Sequence, residues 1–325
     1  MIERVFKKAL AFFGVSEGQI IGRLSGGTYN AVYEFEKDGE KFVIRIGELE
    51  FDIETTNGMI EWLLYLQTKG AAVPKLVKSI QNNPIEYIQT DDRIYSVDVT
   101  HKIFGENART RVIEYQDLSW ARAFGQAVGK IHKLAEVSAP ESVVRVRPHW
   151  NQIGNDFIPP VQLSVEEVGI KRRRTEILNL IKDLPKTADV YGLVHLDLHL
   201  GNILVHNESS SITMLDFDDV SFGWFMMDLV TPITDIWVCY TGQNKAEIVN
   251  TYLTEVLTGY QLETQLSLDQ KAQIPLFLDL LEIGFYTRFH KNKSLQQENG
   301  WVKTLMTDRK ERIESRIPFV NIQLG

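Results

Sequence analysis

Apolar residues at Val5, Phe6, Ala9, Phe12 and Phe13 recur at a spacing that predicts an amphipathic helix stopped by Gly14. Polar and apolar positions then alternate over residues 31–35 and 41–46, which predicts two strands joined at Asp38-Gly39, a pair that tolerates positive φ. A helix is predicted over 52–69, ended by Gly70, with Ile60, Leu63, Leu64 and Leu66 on or near one face. Strand-like runs KLVKSI, IEYIQT and DRIYSVDV follow Val73-Pro74. The first hundred or so residues therefore read as a mostly antiparallel sheet carrying a helix.

The pattern changes after about residue 105. Leu118, Ala121, Gly125, Val128 and His132 recur at steps of three and four, predicting a helix over 117–135 with Asp117 as N-cap. Residues 141–165, with Pro148, Pro159 and Pro160, read as a loop or irregular crossover, and helix resumes over 171–184. Two short apolar strands, ILV and ITML, flank an NESS turn, and from 224 onward the chain is mainly helical, in segments near 224–240, 246–260, 272–290 and 297–315. Pro232 and Pro275 start or bend helices in that stretch. The change in texture divides the chain into two lobes, 1–103 and 104–325.

With 325 residues, 44% hydrophobic and 24% charged, the chain has an ordinary globular composition and enough length for a large core without staples. Its single cysteine, Cys239, excludes an intrachain disulfide and a cysteine-only zinc site. A net charge of −8 opposes nonspecific binding to nucleic acid or anionic lipid, and the short basic run at 171–174 reads as a solvated helix start. The charged N-terminus lacks a signal-peptide core and no apolar tract reaches membrane length, so a soluble, cytoplasmic protein with no nucleic-acid or membrane partner is expected.

Residues 191–219 carry the densest chemistry, with His195, Asp197, His199, Asn202, Asp216, Asp218 and Asp219 gathered at the ends of the two short strands. A hairpin there brings Asn202 and Asp216 together across fourteen positions, and their amide oxygen and carboxylate suit Mg²⁺ shared with substrate phosphates. Asp197, five residues before Asn202, is placed to face an incoming hydroxyl. His195, Asp197 and His199 also spell an H-x-D-x-H cluster, which as a metal site would make a metal-dependent hydrolase.

HLDLHLGNILV followed by MLDFDD and FGWFMMDL resembles the signature of the aminoglycoside phosphotransferase and choline kinase superfamily, the protein-kinase-like small-molecule kinases. Within it the chain is similar to the bacterial branch of stress-response Ser/Thr kinases and type II homoserine kinases, over about residues 20–290. The resemblance implies an α+β, bilobal protein-kinase-like fold, with a small antiparallel-sheet lobe for the nucleotide, a larger helical catalytic lobe, and ATP between them with adenine near 97–103. It makes Asp197 the catalytic base or hydroxyl-orienting residue, Asn202 and Asp216 the Mg²⁺ ligands, His195 a brace of the catalytic loop, and Asp228 a buried tie to the following helix. Asp218 either reinforces the metal site or caps its loop. LSGGTYNAVYEF resembles the phosphate-covering hairpin, with Ser25, Gly26, Gly27 and Thr28 at its tip. Arg45, in FVIRI, stands where a lysine usually pairs the nucleotide phosphates. The family position for its acidic partner falls near Met59, so Glu61 is the expected partner and Glu54 the alternative. Leu196 and Leu200 stand where the family often has Gly and Pro.

The expected function is therefore ATP- and Mg²⁺-dependent transfer of the γ-phosphoryl group to a hydroxyl of a small molecule, such as an amino alcohol, amino acid or aminoglycoside-like compound. A protein Ser/Thr kinase, an ATP-binding pseudokinase or regulatory module, and a metal-dependent hydrolase are the alternatives. His132, Cys239, Trp150, Trp224, Trp237, Phe285 and Tyr286 read as packing residues, and Asp279 and Glu282 as exposed helix acids or, less blandly, binders of an amine.

Overall fold

The N-terminal helix α1 (Ile2–Phe12) ends where Gly14 takes a φ of 62°, and its Val5, Ala9 and Leu10 pack with Phe13 and Val15 on one face of a sheet. The computed structural model describes residues 2–24, 30–152, 157–159 and 163–322. Strand β1 (Ile20–Arg23) pairs with β2 (Asn30–Lys37), which turns into β3 (Glu40–Glu48) through Asp38 and Gly39 at φ of 52° and 80°. Both turn residues take the left-handed conformation that matches the twist of a two-residue hairpin.

Helix α2 (Ile53–Thr68) is capped by the Asp52 carboxylate, which accepts the Thr55 N–H at 2.7 Å, and it buries Met59, Ile60, Trp62, Leu63 and Leu66. Strands β4 (Leu76–Val77), β5 (Glu86–Gln89) and β6 (Ile94–His101) complete an antiparallel sheet in the order β1-β2-β3-β6-β4, with β5 also on β6. Because side chains alternate along a strand, Ile44, Ile46, Val97 and Val99 join the core under α1 while Arg45 and Asp98 occupy the opposite face.

The chain then runs through β7 (Gly105–Asn107), α3 (Ala108–Tyr115) and α4 (Ala121–Ser138) before forming α5 (Glu141–Val146). Two compact units result, residues 1–105 with 140–147, and residues 106–139 with 148–325. The short helix α5 lies in what the sequence presents as a loop; residues 141–146 contain no proline or glycine, the breakers falling later. Arg147 holds this return to the first unit by donating to the Thr55 carbonyl at 2.9 Å.

In the second unit α4 starts three residues later than its pattern suggests, because Asp117 accepts the Ser119 N–H at 2.9 Å and so caps a preceding turn instead. The remaining elements, in order, are α6 (Val168–Lys182), β8 (Tyr191–Val194), β9 (Ile203–His206), β10 (Ile212–Met214), β11 (Ser221–Trp224), α7 (Met226–Cys239) and α8 (Lys245–Tyr260). They are followed by α9 (Leu268–Ala272), α10 (Ile274–Phe289), α11 (Lys293–Glu298), α12 (Gly300–Met306) and α13 (Arg309–Glu314). Helices α4 and α8 meet backbone to backbone: a Cβ on Gly125 would lie 2.0 Å from the Val256 carbonyl oxygen, and one on Gly259 2.0 Å from that of Arg122.

Pro232 sits inside α7 and Pro275 in the first turn of α10. The predicted helix over 297–315 is broken twice, by Asn299, which caps α12 through the N–H groups of Trp301 and Val302, and by Asp308 at a φ of 52°. Asp279 and Glu282 are not exposed acids: Arg173 donates to Asp279 at 2.7 Å, and Glu282, 3% exposed, accepts from Arg309 at 2.6 Å. Burial outweighs the neighbouring guanidinium and pushes the Glu282 carboxyl up to about 7. Among the described residues no helix is long and apolar enough to cross a membrane.

Candidate active site

The loop between β8 and β9 and the loop between β10 and β11 are drawn together by strand pairing. Antiparallel β9 and β10 match Ile203 to Met214, and β8 and β11 match Val194 to Ser221, so residues 195–202 and 215–220 leave their strands at one end. The Leu215 N–H donates to the Asn202 carbonyl at 2.8 Å, which sets Asn202 beside the residue preceding Asp216. Across the same junction His195 Nε2 reaches the Leu215 carbonyl at 2.8 Å.

Asp197 and Asn202 are in direct contact. The Asn202 amide nitrogen donates to the Asp197 carbonyl at 2.8 Å and to Asp197 Oδ2 at 3.0 Å. Both amide hydrogens are committed to Asp197, so the oxygen Oδ1 is what Asn202 has to offer a cation. Asp216 takes a φ of 61°, a left-handed conformation that aspartate tolerates better than most residues. An amide oxygen and a carboxylate held at one hairpin end are hard oxygen donors of the kind Mg²⁺ or Ca²⁺ takes. Asp218 stands in the same turn, two residues on.

The histidines serve the loop. With Nε2–H donating to Leu215, His195 Nδ1 accepts the Asp197 N–H at 3.3 Å, and burial holds its imidazole below the ordinary histidine value, hence neutral. His199 Nδ1 accepts the Gly201 N–H at 3.0 Å, which leaves Nε2–H facing Asp197 Oδ2 at 3.8 Å. Among the described residues no group of three or more His, Cys, Asp or Glu is arranged to hold a metal.

Beneath the loop, Asp228 accepts the N–H groups of His195 and Leu196, each at 2.8 Å, and His132 Nε2 lies 3.0 Å from the same carboxylate. Burial acts to raise the Asp228 carboxyl, but the His132 hydrogen bond and the charges and N–H around it hold it below the usual range. Leu196 takes a φ of 67°, the conformation glycine adopts without penalty, and its buried side chain offsets that cost. His132 also meets the Tyr260 hydroxyl at 3.0 Å, which makes it the core histidine its stripe position suggests. Burial and the charge of Asp235 push the Cys239 thiol up to about 12, which disfavours the thiolate.

In the first unit Arg45 does not pair with the helix acid assigned to it. Arg45 Nε donates to Asp98 Oδ2 at 2.9 Å, whereas Glu61 accepts from Ser142 on α5 and Glu54 is exposed in the first turn of α2. The cause is register, since Arg45 and Asp98 are opposed across β3 and β6. Met59, near the position expected to carry an acid, is 3% exposed and packs in the core. Tyr87 borders the pair; burial and the Asp98 charge push its phenol up to about 12, and its hydroxyl donates to Asn57 at 2.7 Å. Ser25, Gly26, Gly27 and Thr28, the expected phosphate-covering tip, lie outside the described residues.

Sequence reasoning missed Asp98 and also Asp235, a second buried acid on α7. Each had a signal: Asp98 lies on the strand that pairs with FVIRI, and Asp235 lies seven residues, two helical turns, after Asp228 in an otherwise apolar helix.

The chain is 25% identical over 330 residues to amicoumacin kinase of Bacillus subtilis (strain 168), covering 98% of this chain and 93% of that one. The solved structure of amicoumacin kinase hAmiN in complex with AMP-PNP, Ca²⁺ and Ami superposes with a TM-score of 0.85 at 24% identity, over 99% of this chain and 95% of the other. A microcompartment-associated aminopropanol kinase gives a TM-score of 0.73 at 19% identity, over 96% and 98% of the two chains. These likenesses show a kinase-like fold of the aminoglycoside phosphotransferase type. The sequence pattern of the phosphotransferase enzyme family matches residues 20–263, three quarters of the length, and the chain belongs to that family.

Proposed function

We propose that the chain is a kinase that uses ATP and a divalent cation, Mg²⁺ by donor chemistry, to phosphorylate a hydroxyl on a small amine-bearing molecule. The observation that carries this reading is the hydrogen-bonded junction of Asp197, Asn202 and Leu215, which brings the Asp197 carboxylate to the same hairpin end as the oxygen donors of Asn202 and Asp216. The names of the relatives support the acceptor class: amicoumacin and aminopropanol are what those kinases are named for, and aminopropanol joins an amine to a hydroxyl.

In this reading Asp197 orients the acceptor hydroxyl and accepts its proton as the oxygen attacks the γ-phosphorus and the bond to the β-bridging oxygen breaks. Asn202, by its contact with Asp197, fixes the direction of that carboxylate. Asn202 Oδ1 and the Asp216 carboxylate would hold the cation, whose charge when bound offsets that of the phosphates. Arg45, steadied by Asp98, supplies a planar two-point contact for phosphate oxygens.

Titration calorimetry with ATP in the presence and absence of Mg²⁺, followed by product detection across a panel of amino alcohols, amino acids and aminoglycosides, tests the proposal. Metal-dependent nucleotide binding with phosphorylated product from at least one amine-bearing alcohol is expected. A folded chain that binds no nucleotide would falsify it.

A further inference from the structure

Helix α7 is buried from Met226 to Ile236, yet it carries two carboxylates at that depth, Asp228 at 1% and Asp235 at 2% exposure. Two turns of helix separate them by about 10 Å along one face. Burying a charged carboxylate is costly unless it is paired and hydrogen-bonded, so each must be held by partners. Asp228 grips the start of the catalytic loop through the N–H groups of His195 and Leu196.

Asp235 grips the other end. Its Oδ2 accepts the Leu200 N–H at 3.1 Å and the Arg109 Nη2 at 2.6 Å, while Oδ1 accepts the Trp301 Nε1–H at 3.0 Å. Leu200 opens the 3₁₀ turn that runs to Asn202; the Gly201 and Asn202 N–H groups bond back to His199, whereas the Leu200 N–H, first in the turn, has among the described residues only Asp235 to accept it. Arg109 comes from α3 and Trp301 from α12, so two further elements converge on this one carboxylate. Arg109 Nε is buried with no hydrogen-bond partner among the described residues, a cost that the ion pair at its other end offsets. Trp301 is also wedged edge-on against Phe285 and Phe289 of α10, and it lies beyond residues 20–263, the stretch the family pattern matches.

We infer that Asp235 is a positioning residue that sets the 200–202 turn, and through it Asn202, and that Trp301 ties the C-terminal helices to the catalytic loop at this point. The inference rests on the phosphotransferase reading for its catalytic consequence, but the hold on the turn is a structural claim that stands apart from it. Losing the turn's anchor frees Asn202 from its place beside Asp197 and Asp216, so metal use suffers before nucleotide contacts in the first unit do. With Asp228 seven residues earlier on the same helix, the loop is held from α7 at both His195–Leu196 and Leu200.

The full-length chain and its Asp235→Asn, Asp235→Ala and Trp301→Phe variants decide the matter through amide hydrogen exchange over residues 191–203 and the Mg²⁺ concentration that half-saturates ATP binding. Asp235→Ala should raise exchange in 198–203 roughly 10- to 100-fold while 192–196, held by Asp228, keeps its protection. It should also raise the Mg²⁺ requirement about 10-fold. Asp235→Asn keeps a carbonyl oxygen for the Leu200 N–H and should restore most of the protection; Trp301→Phe should weaken it in the same direction as Asp235→Ala but less. Wild-type exchange in 198–203 for a folded Asp235→Ala, or a loss of protection spread evenly over the chain in Asp235→Asn and Trp301→Phe, overturns the inference. If the wild type binds no nucleotide, the kinase reading fails and the exchange pattern alone still decides whether Asp235 holds the turn.

Discussion

Arg45 and Asp98 stand directly opposite each other on adjacent antiparallel strands, with the guanidinium Nε 2.9 Å from the carboxylate. Side chains so placed start about 5 Å apart at Cβ, so the sheet itself aims the cation. A partner on a helix can swing with that helix; a partner on the neighbouring strand moves only if the sheet does. The acid side chain is 8% exposed and the arginine 21%, so the contact is screened far less than a surface pair.

The pairing predicts strong coupling between Arg45 and Asp98 and none between Arg45 and Glu61. In a double-mutant cycle on ATP affinity, Arg45→Ala with Asp98→Asn should show an interaction energy of about 1–3 kcal/mol. Glu61→Gln should stay within about 0.5 kcal/mol of wild type and add simply to Arg45→Ala. Strong coupling to Glu61 would show that the helix acid, not the strand acid, steers the cation.

With Asp197 as the proposed proton acceptor, Asp197→Asn should lower phosphoryl transfer by about 10²- to 10⁴-fold. Nucleotide affinity should stay near wild type. With Asp216 and Asn202 as the proposed ligands, Asp216→Ala should impair metal-dependent turnover more than Asn202→Ala, since a carboxylate is charged and an amide oxygen is not. Kinetics with the identified acceptor at several Mg²⁺ concentrations check all three; an unchanged transfer rate in Asp197→Asn would remove Asp197 from the role.

Glu282 gives the fold a pH dependence of definite sign. Its folded-state value of about 7 lies above the ordinary 4.5, so over that interval the native state keeps a proton that the unfolded chain has released. Its contribution is fully present below the unfolded value and is lost as pH rises through the folded one. Relative to Glu282→Gln, which does not titrate, the wild type should lose on the order of 2–3 kcal/mol of stability between pH 4.5 and pH 8. Urea unfolding at several pH values measures the difference, and a flat difference curve would show that Arg309 keeps the carboxylate charged throughout.

Gly125→Ala tests the close crossing of α4 and α8. Alanine normally favours a helix interior by about 1 kcal/mol over glycine. Here the added Cβ would fall 2.0 Å from the Val256 carbonyl oxygen, and backbone cannot step aside as a side chain can. A net loss of about 1–3 kcal/mol is expected from chemical denaturation. Stabilisation would mean the helices separate freely.

Much of this was legible in the sequence, for identifiable reasons. The Asp38-Gly39 turn, the apolar stripe through Gly125 and His132, and the ILV and ITML strands are local signals, and local chemistry decides them. The kinase-like loop was legible because Asp197 and Asn202 are five residues apart and touch within one loop. What failed to show was set by partners far along the chain. Glu282 read as an exposed helix acid because its partner, Arg309, lies 27 residues on, and the two are joined only after α12 and α13 fold back. Asp235 went unremarked because its partners lie far along the chain, Arg109 126 residues earlier and Trp301 66 later. The acid for Arg45 was sought by analogy on a helix, while strand register had already provided one.

Asn202 and Asp216 are neighbours because β9 and β10 are in register, from Ile203 opposite Met214 to the His206 N–H on the Ser211 carbonyl at 3.0 Å. The residues between those strand ends contribute nothing to that meeting. Insertions or deletions within 207–210 should therefore be neutral, whereas one residue added inside either strand would turn every later side chain to the other face. Descendants of such a chain are free to rewrite the tip of the hairpin in length and composition. A pattern meant to find them should hold the five-residue step from Asp197 to Asn202 rigid and let the gap before Asp216 stretch.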